Sequence, residues 1–392
     1  MNEIFKKLWN IDGEITFLNH GSFGATPIEV LRKQEELRNI MEREPVKFFL
    51  RDNEEYYENS RIALSKLVYA HQESIVFVPN ATIGVNTALR SIPIKEGEEI
   101  LVTNQEYNAC RNALDSIAKE KRFLVKEMEI PFPIKSSDEV IEIIVDSISS
   151  KTRYLLIDHI VSATALTIDI KSVVKEMKER NVETIVDGAH SIGQVELNLN
   201  DIAPAYFTSN CHKWLCAPKG SAFLYVREDF QKFTKPLVTS HGINSPRIDK
   251  SKFLLEFLWT GTDDPTPFFV IPFLIDYMNS LCEGGLNELM RKNRELCLKA
   301  RNLICETLDI EKPCPEEMVS SMASFPLKDA TIKPDPPYFI DSLQETLFLD
   351  YKIEIPVIYF PKYPKRIIRI SSQIYNDIED YIKLSEILKK IL

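Results

Sequence analysis

The chain has 392 residues, 44% hydrophobic and 27% charged, with a formal net charge of −10. On a prior of roughly 100 to 200 residues per domain this suits two domains and a large core. Basic residues are scattered apart from short clusters such as 362–369, so nucleic acid is not expected as a partner.

The N-terminal stretch MNEIFKKLWNIDGEITF has no continuous apolar segment of the signal-peptide kind, and no run reaches the roughly 18 uncharged apolar residues of a membrane span. Seven cysteines, an odd number without CxxC spacing, read as reduced thiols. The expectation is a cytoplasmic protein with no membrane segment and no metal site.

From about residue 55 to 230, amphipathic helical stretches alternate with short apolar runs, the pattern of βα units and a largely parallel sheet. Strands are expected at 74–78, 100–103, 123–128, 154–157, 184–186, 205–208 and 222–226, several nearly all apolar, as in strands covered on both faces. Crossover helices are expected at 82–90, 108–120, 137–147 and 170–180. Beyond them, 268–280 reads as an apolar helix, 287–307 as a long amphipathic one, the Pro-rich 313–337 as loop and strand, and 376–392 as a final helix. The fold class is therefore α/β: a large domain over 31–267 with a mostly parallel seven-stranded sheet, a smaller C-terminal α+β domain over 268–392, and an N-terminal segment 1–30 packing with the latter.

In open α/β sheets ligands gather beyond the carboxyl ends of the strands. Three strand ends carry suitable residues. The strand 184–186 runs into Asp187-Gly-Ala-His190, the strand 205–208 into Ser209-Asn-Cys-His-Lys213-Trp214, and the strand 74–78 into Pro79-Asn-Ala-Thr82. Each alone has a plain explanation, as a helix cap or a surface lysine over an aromatic ring.

Together they supply what pyridoxal 5'-phosphate (PLP) requires. Lys213 offers an amine to carry the cofactor and then act as base, and Asp187 a carboxylate that keeps the pyridine nitrogen protonated. The helix start at Ala81-Thr82 offers N–H groups for the phosphate. Arg369, following the apolar run 353–359, could hold a substrate carboxylate with its planar fork.

With these residues in place the sequence resembles the class V aminotransferase and cysteine desulfurase group of PLP fold type I, most closely its isopenicillin N epimerase-like branch. The resemblance runs from Phe17-Leu-Asn-His-Gly-Ser-Phe-Gly-Ala-Thr-Pro27 through Asn80–Asn86, Asp187–His190, Cys211–Trp214 and Trp259-Thr-Gly-Thr-Asp263 to Arg369–Asn376. It implies that Lys213 binds the cofactor covalently and that Asp187 pairs with the ring nitrogen. It places His190 and Ser162 near the 3'-oxygen, Tyr107 on the ring face, and Ala81, Thr82, Asn210 and His212 at the phosphate. It further implies a homodimer in which Gly261-Thr262 reaches the neighbouring site. His20, Ser22, Arg43 and Arg51 are candidates for recognising an amino-acid-like substrate, although the two arginines equally suit solvated helix faces.

One departure bears on the reaction. Cysteine desulfurases carry a nucleophilic cysteine shortly before the segment matching Arg369, whereas 354–365 contains none. What remains is chemistry at Cα of an amino acid or conjugate: epimerisation as the branch name implies, with C–S lysis of a cysteine conjugate, cystine or hercynylcysteine sulfoxide, or transamination, as alternatives. A cofactor-free relic with a binding role is a non-enzymatic alternative that the intact Lys213, Asp187 and Arg369 disfavour. A dinucleotide-binding oxidoreductase is disfavoured by the lack of GxGxxG after any strand.

Overall fold

The computed structural model describes residues 2–336 and 339–392; Pro337, where the expected loop-and-strand segment ends, and Met1 lie outside them. Its strands, in chain order, are β1 (Thr16–Phe17), β2 (Ile75–Val78), β3 (Glu99–Thr103), β4 (Leu124–Met128), β5 (Thr152–Asp158), β6 (Glu183–Asp187), β7 (Tyr206–Asn210), β8 (Ala222–Val226), β9 (Met322–Leu327), β10 (Ile353–Glu354), β11 (Val357–Tyr359) and β12 (Arg366–Ser371). All seven strands expected between residues 74 and 226 are present.

They form one sheet in the order β2-β8-β7-β6-β5-β3-β4. Pairing is parallel from β7 through β4, while β8 runs antiparallel to both of its neighbours. Helices cover both faces, which explains the apolar runs: along β5, Leu155 and Ile157 enter one core while Tyr154 and Leu156 enter the other. From β3 the chain moves outward to β4, then returns to place β5 on the other side of β3. That reversal is a topological switch point, and it opens a crevice between the carboxyl ends of β3 and β5.

The crossover helices form at Ala81–Ser91, Asn108–Lys121, Ser137–Asp146 and Ile170–Glu179. Asn80 caps the first, its Oδ1 accepting from Ile83 N at 3.0 Å, a cap worth about 1 kcal/mol. The single helix expected over 268–280 is instead two, Thr266–Phe269 and Ile271–Ser280. Pro272 lacks the N–H that would reach Phe268, so the first helix cannot run on unbroken. These helices share the core of the large sheet with Phe48 and Leu64, while Leu18 and residues from Cys297 onward form a second core.

The second core lies between the sheet β11-β12-β9 and the helices Gly285–Leu308 and Ile378–Ile391. The N-terminal segment ties the two cores together. Its β1 pairs in parallel with β10, Leu18 enters the smaller core, and Trp9 enters the larger one. No helix among the described residues is long and apolar enough to cross a membrane.

Candidate active site

Lys213 sits in a tight turn after β7, with Cys216 N donating to its carbonyl at 3.1 Å. Its Nζ lies 3.0 Å from Nε2 of His190, and Nδ1 of that ring accepts the indole N–H of Trp214 at 3.3 Å. Desolvation and the nearby Arg369 guanidinium pull the Lys213 amine down to about 8, against the opposing pull of Asp187 and Asp158. Burial holds His190 well below its ordinary range, and Lys213 and Arg369 add to the effect, so the ring is neutral.

Asp187 ends β6 and is fully buried. Its Oδ1 accepts from Ala189 N at 2.9 Å, and its Oδ2 accepts from the Cys110 thiol at 3.2 Å. Burial raises its carboxyl above the usual carboxylate range, while these donors and Lys213 work in the other direction.

At the start of the helix Ala81–Ser91, Ala81 N donates to Asn210 Oδ1 at 2.9 Å, Ile83 N to Asn80 Oδ1, and Gly84 N to the Asn80 carbonyl. That leaves the Thr82 N–H as the remaining first-turn donor for an anion. His212 donates from Nδ1 to the Ser221 carbonyl at 2.8 Å, and desolvation pulls its ring down to about 4.

Arg369, on β12 and only 2% exposed, meets no carboxylate among the described residues. It donates through Nη1 to the Ser162 carbonyl and through Nη2 to Ser22 Oγ at 3.0 Å, while its Nε has no partner. Burial draws the guanidinium down to about 10. A buried cation short of an anion is a receptor for one.

The structure thus gathers Lys213, Asp187, His190, Arg369 and Ser162 about one crevice, with Ala81, Asn210 and His212 joined through the ends of β2, β7 and β8. Tyr107 stands at the mouth of the crevice, 47% exposed, just ahead of the helix Asn108–Lys121. One residue is placed differently from expectation.

His20, considered for substrate contact, is fully buried and spends both ring nitrogens inside the protein, at 2.7 Å from Tyr375 Oη and 3.1 Å from the Lys213 carbonyl. It supports the lysine's backbone. Thr262 lies on an exposed loop, and the neighbouring Gly261 and Asp263 line an open cleft of about 310 Å³ with Lys219 and Trp259, away from Lys213 of the same chain.

Sequence reasoning passed over Glu106, Cys110 and Asp158. Asp158 ends β5 just as Asp187 ends β6, so the same strand-end rule could have found it. Glu106, Cys110 and Asp187 hold ligand-type atoms all within 4.8 Å of one another. Burial and the adjacent Asp187 push the Cys110 thiol far up, so it stays protonated and acts as a hydrogen-bond donor to Asp187.

A sequence profile of the family described as Aminotransferase class-V matches residues 30–335. The chain belongs to this family. Among its relatives, a probable L-cysteine desulfhydrase, chloroplastic, of Arabidopsis thaliana is 26% identical over 100% of this chain and 86% of that protein. The isopenicillin N epimerase of Amycolatopsis lactamdurans is 29% identical over 97% of this chain and 96% of its own length.

The fold is that of PLP-dependent cysteine desulfurase-like structures. C-DES with glycine covalently linked to its PLP cofactor superposes with a TM-score of 0.80 at 16% identity, covering 96% of this chain and 97% of that one. The apo cysteine desulfurase of Thermococcus onnurineus NA1 gives 0.79 at 17% identity, covering 99% and 97%. This class V aminotransferase-family chain is accordingly a PLP-dependent enzyme. Its own residues fit the group: an amine lowered to about 8, a strand-end carboxylate and a helix-start N–H face the same crevice.

Proposed function

We propose that this class V enzyme removes the Cα proton of an amino acid with Lys213 and ends in β-elimination of a cysteine-type sulfur. The Arg369 fork receives the substrate carboxylate, fixing Cα over the lysine. PLP, when bound, supplies the electron sink that makes the Cα–H acidic. Asp187 would hold a proton on the ring nitrogen, His190 and Ser162 would face the 3'-oxygen, and Thr82, with the Ala81–Asn210 pair and His212, would take the phosphate. Lys213, lowered to about 8, is an effective base near neutral pH. Departure of sulfur with the Cβ–S electron pair, followed by hydrolysis, yields pyruvate, ammonia and the released thiol or sulfide.

The observation that carries this reading is the buried Lys213 amine, lowered to about 8 and 3.0 Å from His190 Nε2. Epimerisation needs a second proton carrier on the opposite side of Cα; Tyr107 is the candidate for it, and burial with Cys110 and Asp187 raises its phenol. Relatives named L-cysteine desulfhydrase, and the fold-level likeness to the cystine C–S lyase C-DES, support the same choice.

Epimerisation is the second reading. It is favoured by the 29% identity to an isopenicillin N epimerase, with the half-exposed Tyr107 as the second acid. The Tyr107→Phe variant separates them: elimination from L-cysteine persists at a rate near that of the unsubstituted enzyme if Lys213 acts alone. Loss of all turnover in Tyr107→Phe, with Cα inversion in the parent, would favour the epimerase.

As part of this reading the chain works as a homodimer, with Thr262 serving the neighbouring site, and in a reducing compartment such as the cytoplasm, to which its free cysteines are suited.

A further inference from the structure

Three carboxyl groups meet at the switch point. Asp158 and Asp187 are register partners on β5 and β6, and each lies two residues beyond a side chain, Leu156 or Ile185, of the same core, so both leave the sheet on the face covered by Asn108–Lys121. Glu106 follows β3 on the other side of β5. Asp187 has its own donors, Ala189 N and Cys110 Sγ. Among the described residues Glu106 has none for either oxygen, and Asp158 none for Oδ2, although all three atoms are buried.

What these oxygens face is each other, in a side-chain contact that becomes a hydrogen bond when one of the two carries a proton. Two bare carboxylates in that position would repel in a medium with little water to screen them, and a shared proton turns the repulsion into a bond.

We propose that Glu106 and Asp158 are a proton-sharing acid pair that positions Asp187, so that Asp187 alone presents a free carboxylate to the cofactor's ring nitrogen. This rests on the assignment of Asp187 to that nitrogen. Burial and the two neighbouring aspartates hold Glu106 far above the carboxylate range, with Arg111 opposing, and burial and Asp187 raise Asp158, with Glu106 and Lys213 opposing. Glu106 is the donor and Asp158 the acceptor.

Without that donor, Asp158 keeps its own proton and turns it toward Asp187. The negative charge facing the ring is then diluted, and the ring nitrogen holds its proton less tightly. Neither Glu106 nor Asp158 touches the cofactor in this scheme; both are positioning residues.

The test has two arms. Infrared difference spectroscopy of the apo-protein at neutral pH reads the carbonyl stretch of a protonated carboxylic acid that shifts in deuterated water; the expected band is lost in Glu106→Gln. In protein loaded with PLP labelled with nitrogen-15 in the ring, the chemical shift gives the pH midpoint of ring protonation. That midpoint is expected to fall in Glu106→Leu, by about tenfold in proton affinity, and to return in Glu106→Gln, whose amide restores a donor to Asp158.

A merely structural role would harm stability without this split. No exchangeable carbonyl band, or equal midpoints in the unsubstituted enzyme and Glu106→Leu, overturns the pair. A ring that stays protonated in Asp187→Asn shows that the Asp187 assignment itself has failed, and the proposal falls with it.

Discussion

Lys213 Nζ and His190 Nε2 lie 3.0 Å apart, and once the amine has lost its proton the histidine is the donor and the lysine the acceptor. The indole N–H of Trp214 can only donate, so Nδ1 of His190 carries the lone pair and Nε2 of the neutral ring carries the proton. The lysine can accept only as a neutral amine. Attachment of PLP, followed as the visible absorbance of the lysine-bound cofactor, is therefore expected to speed up as pH rises through about 8, the point at which the folded-state amine loses its proton, rather than through the ordinary lysine value. A midpoint near that of free lysine would contradict the assignment. Lys213→Ala should abolish the absorbance.

Arg369 is already held by Ser162, Ser22 and Asn19, so its fork is rigid before substrate arrives. Arg369→Lys keeps the charge and loses the paired geometry. At about 1.5–3 kcal/mol for a charged hydrogen bond, KM for an amino acid should rise about 10- to 100-fold with a smaller loss in kcat. Steady-state kinetics with an amino acid and its amide separate the two terms; equal losses for both substrates would remove the carboxylate from Arg369.

His212 donates from Nδ1 to a backbone carbonyl, so it can give a hydrogen bond to phosphate from Nε2 only as the charged ring. Alone, desolvation keeps it near 4; a phosphate dianion alongside favours the charged form. The imidazole titration followed by NMR is expected to move upward on PLP loading and to stay put in a control with pyridoxal. An unmoved titration would place the phosphate elsewhere.

Gly24 has φ of +69°, and a Cβ there would stand 2.1 Å from the His212 carbonyl oxygen and 2.8 Å from Lys213 Cα. Gly24→Ala should cost about 2 kcal/mol or more in a urea melt and also impair cofactor attachment, because the clash is with the backbone that carries the lysine. Gly97→Ala, with a similar positive φ but nothing within 4 Å, should show the backbone strain without the cofactor defect. Equal behaviour of the two variants would contradict the role given to the N-terminal segment.

If Thr262 serves the neighbouring subunit, Thr262→Ala should weaken PLP binding although the loop lies away from its own Lys213. Mixing subunits bearing Thr262→Ala with subunits bearing Lys213→Ala should then rebuild one intact site per hybrid dimer. Recovery of tight binding in the mixture, measured by cofactor absorbance after gel filtration, supports the assembly; no recovery contradicts it.

The strand pattern was legible because parallel strands buried on both faces need apolar runs, and Leu155–Ile157 or Phe207–Thr208 could serve little else. Asp187 was legible because it directly follows such a run, and Lys213 because it lies five residues past the run that ends at Thr208. The break at Val270 was less so: an apolar stretch gives no periodic signal for where a helix stops, and Pro272 reads equally as the start of the next.

His20 shows the limit of motif reading, since a histidine in a matching string carries no mark of whether its ring faces the crevice or Tyr375. Glu106 was hidden for a different reason. Its partner Asp158 is 52 residues away, and only the placement of β5 beside β3 brings the two carboxyls together.

Elimination and inversion are told apart by incubating the PLP-loaded protein in deuterated water with L-cysteine, cystine, cysteine S-conjugates and other L-amino acids, and reading products by mass spectrometry and chiral chromatography. The expected products are pyruvate, ammonia and a released sulfur fragment, dependent on Lys213. Deuterium at Cα with inverted configuration and no keto acid would contradict elimination and assign the protein to epimerisation.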